Sequence, residues 1–287
     1  MAIEKNYVLR GTITKAFIPQ SQRVWLDRYR SWRRFHRGVR RRGLPLLKNL
    51  SSYPRCVLVA GCQRSGTTML TRLIARAPGF TRLCLTADDE LDAALALAGF
   101  VDLPSDLRYC LQTTYLNERF IEYRQLRPDQ RLIWVVRNPY SVVYSMLHNW
   151  GRFALNELYE GCADLSTNSP GQRRSNLMWP FGPSRIEKAC LAYRGKAAQI
   201  LSIRHMLRPE QLLTVDYDLL TAAPREWLPR IFEFAEAPYD AACAEEVRRS
   251  PAGKADALSM RARALIEQLA WPTYRECIVL AAGHGAA

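Results

Sequence analysis

Cys56-Val57-Leu58-Val59-Ala60-Gly61-Cys62-Gln63-Arg64-Ser65-Gly66-Thr67-Thr68 reads as a strand, a glycine loop and the first turn of a helix. The opening five residues are an apolar run of strand length. Downstream, Leu70, Leu73, Ile74 and Ala77 share one helical face before Pro78-Gly79 stops the helix. Such a loop offers an anion backbone N–H donors and the positive end of a helix dipole. In the triphosphate loop G-x-x-x-x-G-K-[ST], lysine follows the last glycine. Here Thr67 holds that position and the cation has moved forward to Arg64. The expected anion is therefore something other than a triphosphate.

Further along, Leu132-Ile133-Trp134-Val135-Val136 reads as a second buried strand, followed by Arg137-Asn138-Pro139-Tyr140-Ser141-Val142-Val143-Tyr144-Ser145. Asn138 suits a helix cap and Pro139 a first helical position, while Val142, Val143, Met146 and Trp150 recur at helical spacing. Arg137 at the strand end and Ser145 two turns into the helix are then placed to reach one phosphate. Between the two segments we expect a short strand at 81–85, a helix opened by Asp88-Asp89-Glu90 and running over 91–98, and a helix over 113–126. Strands separated by helices indicate a parallel sheet whose ligands lie at the carboxyl ends of the strands. Both segments lie at such ends.

The loop at 61–68 resembles the 5′-phosphosulfate loop of sulfotransferases that use 3′-phosphoadenosine-5′-phosphosulfate (PAPS), in which a basic residue precedes Ser-Gly-Thr-Thr. Arg137 to Ser145 is similar to the same family's 3′-phosphate segment. Leu213 to Leu220, with Pro224 and a helix ending at Ala237-Pro238-Tyr239-Asp240, looks like its late strand and helix. The resemblance runs from about residue 55 to about residue 240, on the side of the carbohydrate and protein sulfotransferases. It implies an α/β fold, a single P-loop-like domain with a central parallel β-sheet flanked by helices. It implies PAPS as donor, adenosine 3′,5′-bisphosphate (PAP) as product, no metal, and a hydroxyl acceptor, here expected on a carbohydrate or lipid-linked glycan.

By the same resemblance Arg64 stabilises the leaving phosphate, with Ser65, Gly66, Thr67 and Thr68 completing the loop site, and Arg137 and Ser145 hold the 3′-phosphate. Glu90 stands near the place where many carbohydrate and protein sulfotransferases carry a catalytic glutamate. Asp88, Asp89 and His148 remain alternative bases. The chain departs from the family at Gln63, where proline is usual, and at Met69, where many members carry tryptophan near the adenine. Lys254 resembles a late phosphate-closing segment loosely. A sulfuryl group carries less charge than a phosphoryl group, so protein donors suffice where kinases recruit Mg²⁺.

A chain of 287 residues, 48% of them hydrophobic, is expected to form one large domain at 51–280 with a frayed tail at 281–287. No apolar run reaches bilayer length, and a soluble cytoplasmic protein is the expectation. Eight scattered cysteines without C-x-x-C and four histidines without ligand spacing indicate neither a zinc site nor a disulfide framework. Of the net charge of +14, residues 1–50 carry +11, from 13 lysines and arginines against Glu4 and Asp27, which leaves +3 for the rest. In this basic arm Trp25, Tyr29, Trp32 and Phe35 fall on one helical stripe. The stripe either lies on an anionic membrane, peripheral to its inner face, or packs on the main domain.

Residues 161–183 read as a long polar loop with Trp179 and Phe181 as acceptor-stacking candidates. Ser184 to Glu187 spells a capping box for a helix with Ile186, Cys190, Tyr193, Ala197 and Ile200 on its apolar face. Two other function classes stay open: a P-loop kinase or other nucleotide-dependent transferase, which Thr67 disfavours, and a nucleic-acid-binding protein using the arginine-rich arm.

Overall fold

The computed structural model describes residues 5–9, 12–16, 31–83, 85, 88–163, 170–178, 182–247 and 254–283. An N-terminal hairpin, β1 (Lys5–Leu9) and β2 (Thr12–Ala16), precedes α1 (Trp32–Gly38). Then come β3 (Val57–Gly61), α2 (Thr67–Ile74), β4 (Thr81–Arg82), α3 (Asp89–Leu97), β5 (Cys110–Gln112), β6 (Arg131–Val136), α4 (Pro139–His148), α5 (Arg152–Cys162), α6 (Pro170–Met178), α7 (Arg185–Ala197) and α8 (Gln199–Ile203). The chain closes with β7 (Leu212–Asp216), α9 (Tyr217–Ala222), α10 (Pro224–Phe234), α11 (Cys243–Glu246), α12 (Met260–Leu269) and α13 (Trp271–Gly283).

The central sheet runs β5-β3-β6-β7 with every pairing parallel, and a smaller antiparallel sheet runs β2-β1-β4. Both faces of the central sheet are covered, which is why its strands read as uninterrupted apolar runs rather than as alternating ones. Leu58, Ala60, Leu132, Trp134 and Val136 enter the larger core, while Val57, Val59, Ile133, Val135 and Val215 enter the smaller one on the opposite face. From β3 the chain returns to the sheet on one side, at β5; from β6 it continues on the other, to β7. The carboxyl ends of β3 and β6 therefore flank the switch point where open α/β sheets bind ligands.

Local signals set most helix starts. Asn138 caps α4, its side chain accepting from Tyr140 N at 2.9 Å, with Pro139 in the first turn. Ser184 and Glu187 form the expected capping box of α7. Two expectations need correction. Residues 114–125 form a run of 3₁₀ turns broken at Asn117 (φ 35°, ψ −117°) in place of the expected helix. The reason lies in tertiary contacts: Glu122 accepts from the backbone N–H groups of Leu46 (2.8 Å) and Leu47 (2.9 Å). The polar stretch 161–183 contains α6, with Trp179 and Phe181 outside the described residues. In the basic segment the described helix is α1, seven residues long; Trp25 and Tyr29 lie outside the described residues.

The rest of that stripe packs inward. Phe35 is buried in the larger core with Val39, Leu46, Leu47 and Leu50. Arg40, expected among the arm's arginines, is buried and ion-paired to Glu118 and Glu157. Burial alone would lower its pKa, but the two carboxylates outweigh that and hold it above the ordinary arginine value. All seven described cysteines are buried free thiols. No described helix is long and apolar enough to cross a membrane.

Candidate active site

Two glycines shape the loop between β3 and α2. At Gly61 (φ +135°) an added Cβ would stand 2.3 Å from the Val135 carbonyl oxygen, and at Gly66 (φ +92°) 2.0 Å from the Tyr217 ring. Only a residue without a side chain permits both the close approach and the left-handed backbone. Arg64 is also left-handed, at φ +73°, without being glycine. Such a conformation costs on the order of 1–3 kcal/mol and persists where its surroundings enforce it. Here Arg137 Nη1 donates to the Arg64 carbonyl at 2.9 Å. The second motif thus holds the first in shape.

Side chains complete the link. Arg64 Nε donates to Ser145 Oγ at 2.9 Å, joining residues 81 positions apart. The Arg137 guanidinium lies 4.5 Å from the centroid of the Tyr217 ring, and its own carbonyl accepts from Tyr193 Oη at 2.7 Å. The Asn138 amide donates to Asp218 at 2.7 Å, which ties this corner to the end of β7. Lys254 joins the group: burial, then the charges of Arg137 and Arg64, lower its pKa. Burial, and the Arg64 charge, likewise lower Arg137, against Tyr217 and Asp218, which raise it. Positive charge is gathered here at an electrostatic cost that a bound anion relieves. Ser65 Oγ is buried and has no hydrogen-bond partner, a donor left over for the same anion. These residues fit a phosphate-bearing ligand.

Beside the loop opens a cavity of about 430 Å³. Trp32, Tyr115, Trp150 and Phe153 give it aromatic walls, and Arg64 and Glu90 stand in its lining. Glu90 Oε1 accepts from the Thr114 hydroxyl, and Oε2 from Gln112 Nε2 at 3.4 Å. Gln112 in turn donates to Thr67 Oγ1 (3.1 Å) and accepts from Thr68 Oγ1 (2.9 Å), so one glutamine bridges the loop and the carboxyl. Withdrawal from water pushes the Glu90 pKa up to about 8; the Thr114 hydrogen bond and Lys196 pull it down, while Asp88 and Glu157 add to the rise. A carboxyl poised near neutrality can take a proton from a hydroxyl and give it up again.

The alternative bases have other occupations. Asp88 caps α3, accepting from the amides of Glu90 and Leu91. Asp89 is ion-paired with Arg72. Both line the cavity. His148 is exposed and stacks on Tyr144 at 4.2 Å, away from the cavity lining. Gln112, Thr114 and Trp32 were missed by sequence reasoning. The short apolar run before Gln112 was the available signal for β5, and a polar residue at its carboxyl end was the signal for a site.

The family model described as "Sulfotransferase domain" matches residues 54–252. No curated protein sequence matches the chain. Among solved structures, the chain is similar to a mouse sulfotransferase complexed with PAP (16% identity, 84% of this chain and 93% of that one, TM-score 0.48). It is also similar to a sulfotransferase from Alicyclobacillus acidocaldarius (16%, 78% and 94%, TM-score 0.46) and to one from Mycobacterium avium (14%, 89% and 80%, TM-score 0.47).

Proposed function

The chain belongs to the sulfotransferase family, and from that premise we propose that it transfers a sulfuryl group from PAPS to a hydroxyl of an acceptor held in the cavity beside Glu90. The observation that carries this reading is the contact between Arg64 Nε and Ser145 Oγ at 2.9 Å, which unites the two phosphate motifs at the carboxyl ends of β3 and β6. When bound, the donor supplies an activated sulfuryl group on a phosphate leaving group. The chain's own residues do the rest. The aromatic walls seat the acceptor, and Glu90, as carboxylate, takes the hydroxyl proton as the acceptor oxygen bonds to sulfur. As the bond from sulfur to the leaving oxygen breaks, Arg64 and the backbone amides of Gly66 to Thr68 face the charge that develops there. Arg137, Ser145 and Lys254 supply donors for the 3′-phosphate.

For the acceptor we propose a carbohydrate or lipid-linked glycan hydroxyl, supported by the flat aromatic faces of the cavity. Arg33, Arg34, Arg37, Arg41 and Arg42 are exposed on the segment that supplies Trp32. They support a further proposal, contact with an anionic membrane, which flotation with anionic vesicles tests.

Calorimetric titration of PAP tests the donor. Without metal and with ATP as competitor, micromolar binding that weakens tenfold or more in Arg137→Ala, about 1.4 kcal/mol, is the expected result. Preference for Mg-ATP, or no PAP binding, overturns it.

A further inference from the structure

Trp32 precedes the span 54–252 that matches the family, yet its ring lines the cavity beside Glu90. Its indole Nε1 donates to Asp88 Oδ2 at 2.7 Å. The other oxygen of that carboxylate, Oδ1, accepts from the amides of Glu90 (3.0 Å) and Leu91 (3.1 Å). One side chain thus joins the indole to the first turn of α3. The indole is itself fixed, edge-on to Phe35 with centroids 5.6 Å apart and tilted against Tyr115 at 5.9 Å. Phe35 and Tyr115 are both buried in the larger core.

From this geometry we infer that Trp32 is a positioning residue for sulfuryl transfer, walling the acceptor cavity and, through Asp88, fixing the helix turn that presents Glu90. The inference rests on the reading of Glu90 as general base. A helix start anchored from outside holds its first side chains to one position, and a ring in the wall of the same cavity leaves less room for water beside the carboxyl. Charged groups act on Glu90 from several elements, Asp88 at the start of its own helix, Glu157 from α5 and Lys196 from α7, and Asp89, Arg64 and Arg72 line the same cavity. Trp32 adds no charge. Its removal therefore acts by position and by water access, and lets the Glu90 carboxyl fall toward its ordinary value.

The test uses the full chain labelled with ¹³C at glutamate carboxyls, the Glu90 resonance being assigned by Glu90→Gln. In Trp32→Phe, which keeps an aromatic ring but loses the donor, the Glu90 titration midpoint should drop by about one pH unit or more. PAP affinity, read by calorimetry, should stay within about twofold. In an Asp88→Asn background, where asparagine still caps the helix, Trp32→Phe should add no further drop. A variant that merely melts at lower temperature, with the midpoint in place, overturns the inference. Should Trp32→Phe fail to fold, indole ¹H–¹⁵N spectra decide: the indole N–H that shifts in Asp88→Asn must also follow the Glu90 titration, and its indifference overturns the inference. Failure of the unsubstituted protein to bind PAP, with the midpoint drop intact, counts against the donor and leaves the positioning role standing.

Discussion

The phosphate loop and the cavity beside it are built on opposite plans. Eight consecutive residues make the loop, and its form depends on backbone: two glycines against Val135 and Tyr217, and a left-handed Arg64 whose carbonyl Arg137 holds. The cavity is assembled from single side chains on separate elements, among them Trp32 from α1, Glu90 from α3, Gln112 from β5 and Glu157 from α5. A site made of contiguous backbone announces itself in sequence and tolerates little change of conformation. One made of dispersed side chains is silent in sequence and depends on chemistry at each position.

Substitutions on the two sides should separate these plans. The largest expected effect is on the cavity side: Glu90→Gln should lower the transfer rate by about 10²- to 10⁴-fold with PAP affinity unchanged, measured by single-turnover transfer and calorimetry. The rate of the unsubstituted enzyme should rise with pH toward a plateau above about 8, as the carboxyl ionises. Stability should move the other way. Because the Glu90 pKa is raised from 4.5 to about 8 on folding, the folded state binds a proton that the unfolded state has lost. This carboxyl's contribution is present below 4.5 and is lost as pH rises through 8. Denaturation of Glu90→Gln should lack that decline. Equal loss of rate at all pH values, with no change in the stability profile, would remove Glu90 as the base.

On the loop side, Gly66→Ala should weaken PAP binding by about a hundredfold, near 2.7 kcal/mol, because the new methyl group meets both the Tyr217 ring and a left-handed backbone. Full affinity in that variant would break the contrast between the two regions. The smallest effect is expected behind the site. Lys196 is fully buried over the Trp134 ring at 5.6 Å, and its Nζ has no hydrogen-bond partner. Burial lowers its pKa. Replacing it by methionine removes a desolvation cost that the Trp134 ring and Glu90 offset only in part, so Lys196→Met should change stability by no more than about 1 kcal/mol, in the stabilising direction. Since Lys196 pulls the Glu90 pKa down, the same variant should shift the rate profile to higher pH.

What was legible in sequence follows the same division. The apolar runs at 56–60 and 132–136, the displaced basic residue at Arg64, and the Asn138-Pro139 helix start are local signals, and each lies where its motif placed it. Glu90 could be named from its neighbourhood, but its partners could not. Thr114 sits in a 3₁₀ run whose periodicity imitates a helix, and Gln112 ends a strand of three residues. Arg40 reads as one more arginine in a basic run. Its burial is set by Glu118 and Glu157, 78 and 117 positions away. Long-range pairing of this kind leaves no pattern in the neighbouring residues.

Tyr217 gives the two motifs a limit on their portability. Its ring stacks under Arg137 and fills the space against Gly66, yet it belongs to the segment after β7, 80 positions beyond Arg137. Residues 56–148 contain both phosphate motifs without that platform. Transplanted into another scaffold they would carry the signature without the Tyr217 ring beneath it: the arrangement depends on the whole four-stranded sheet, and it cannot be moved as a cassette.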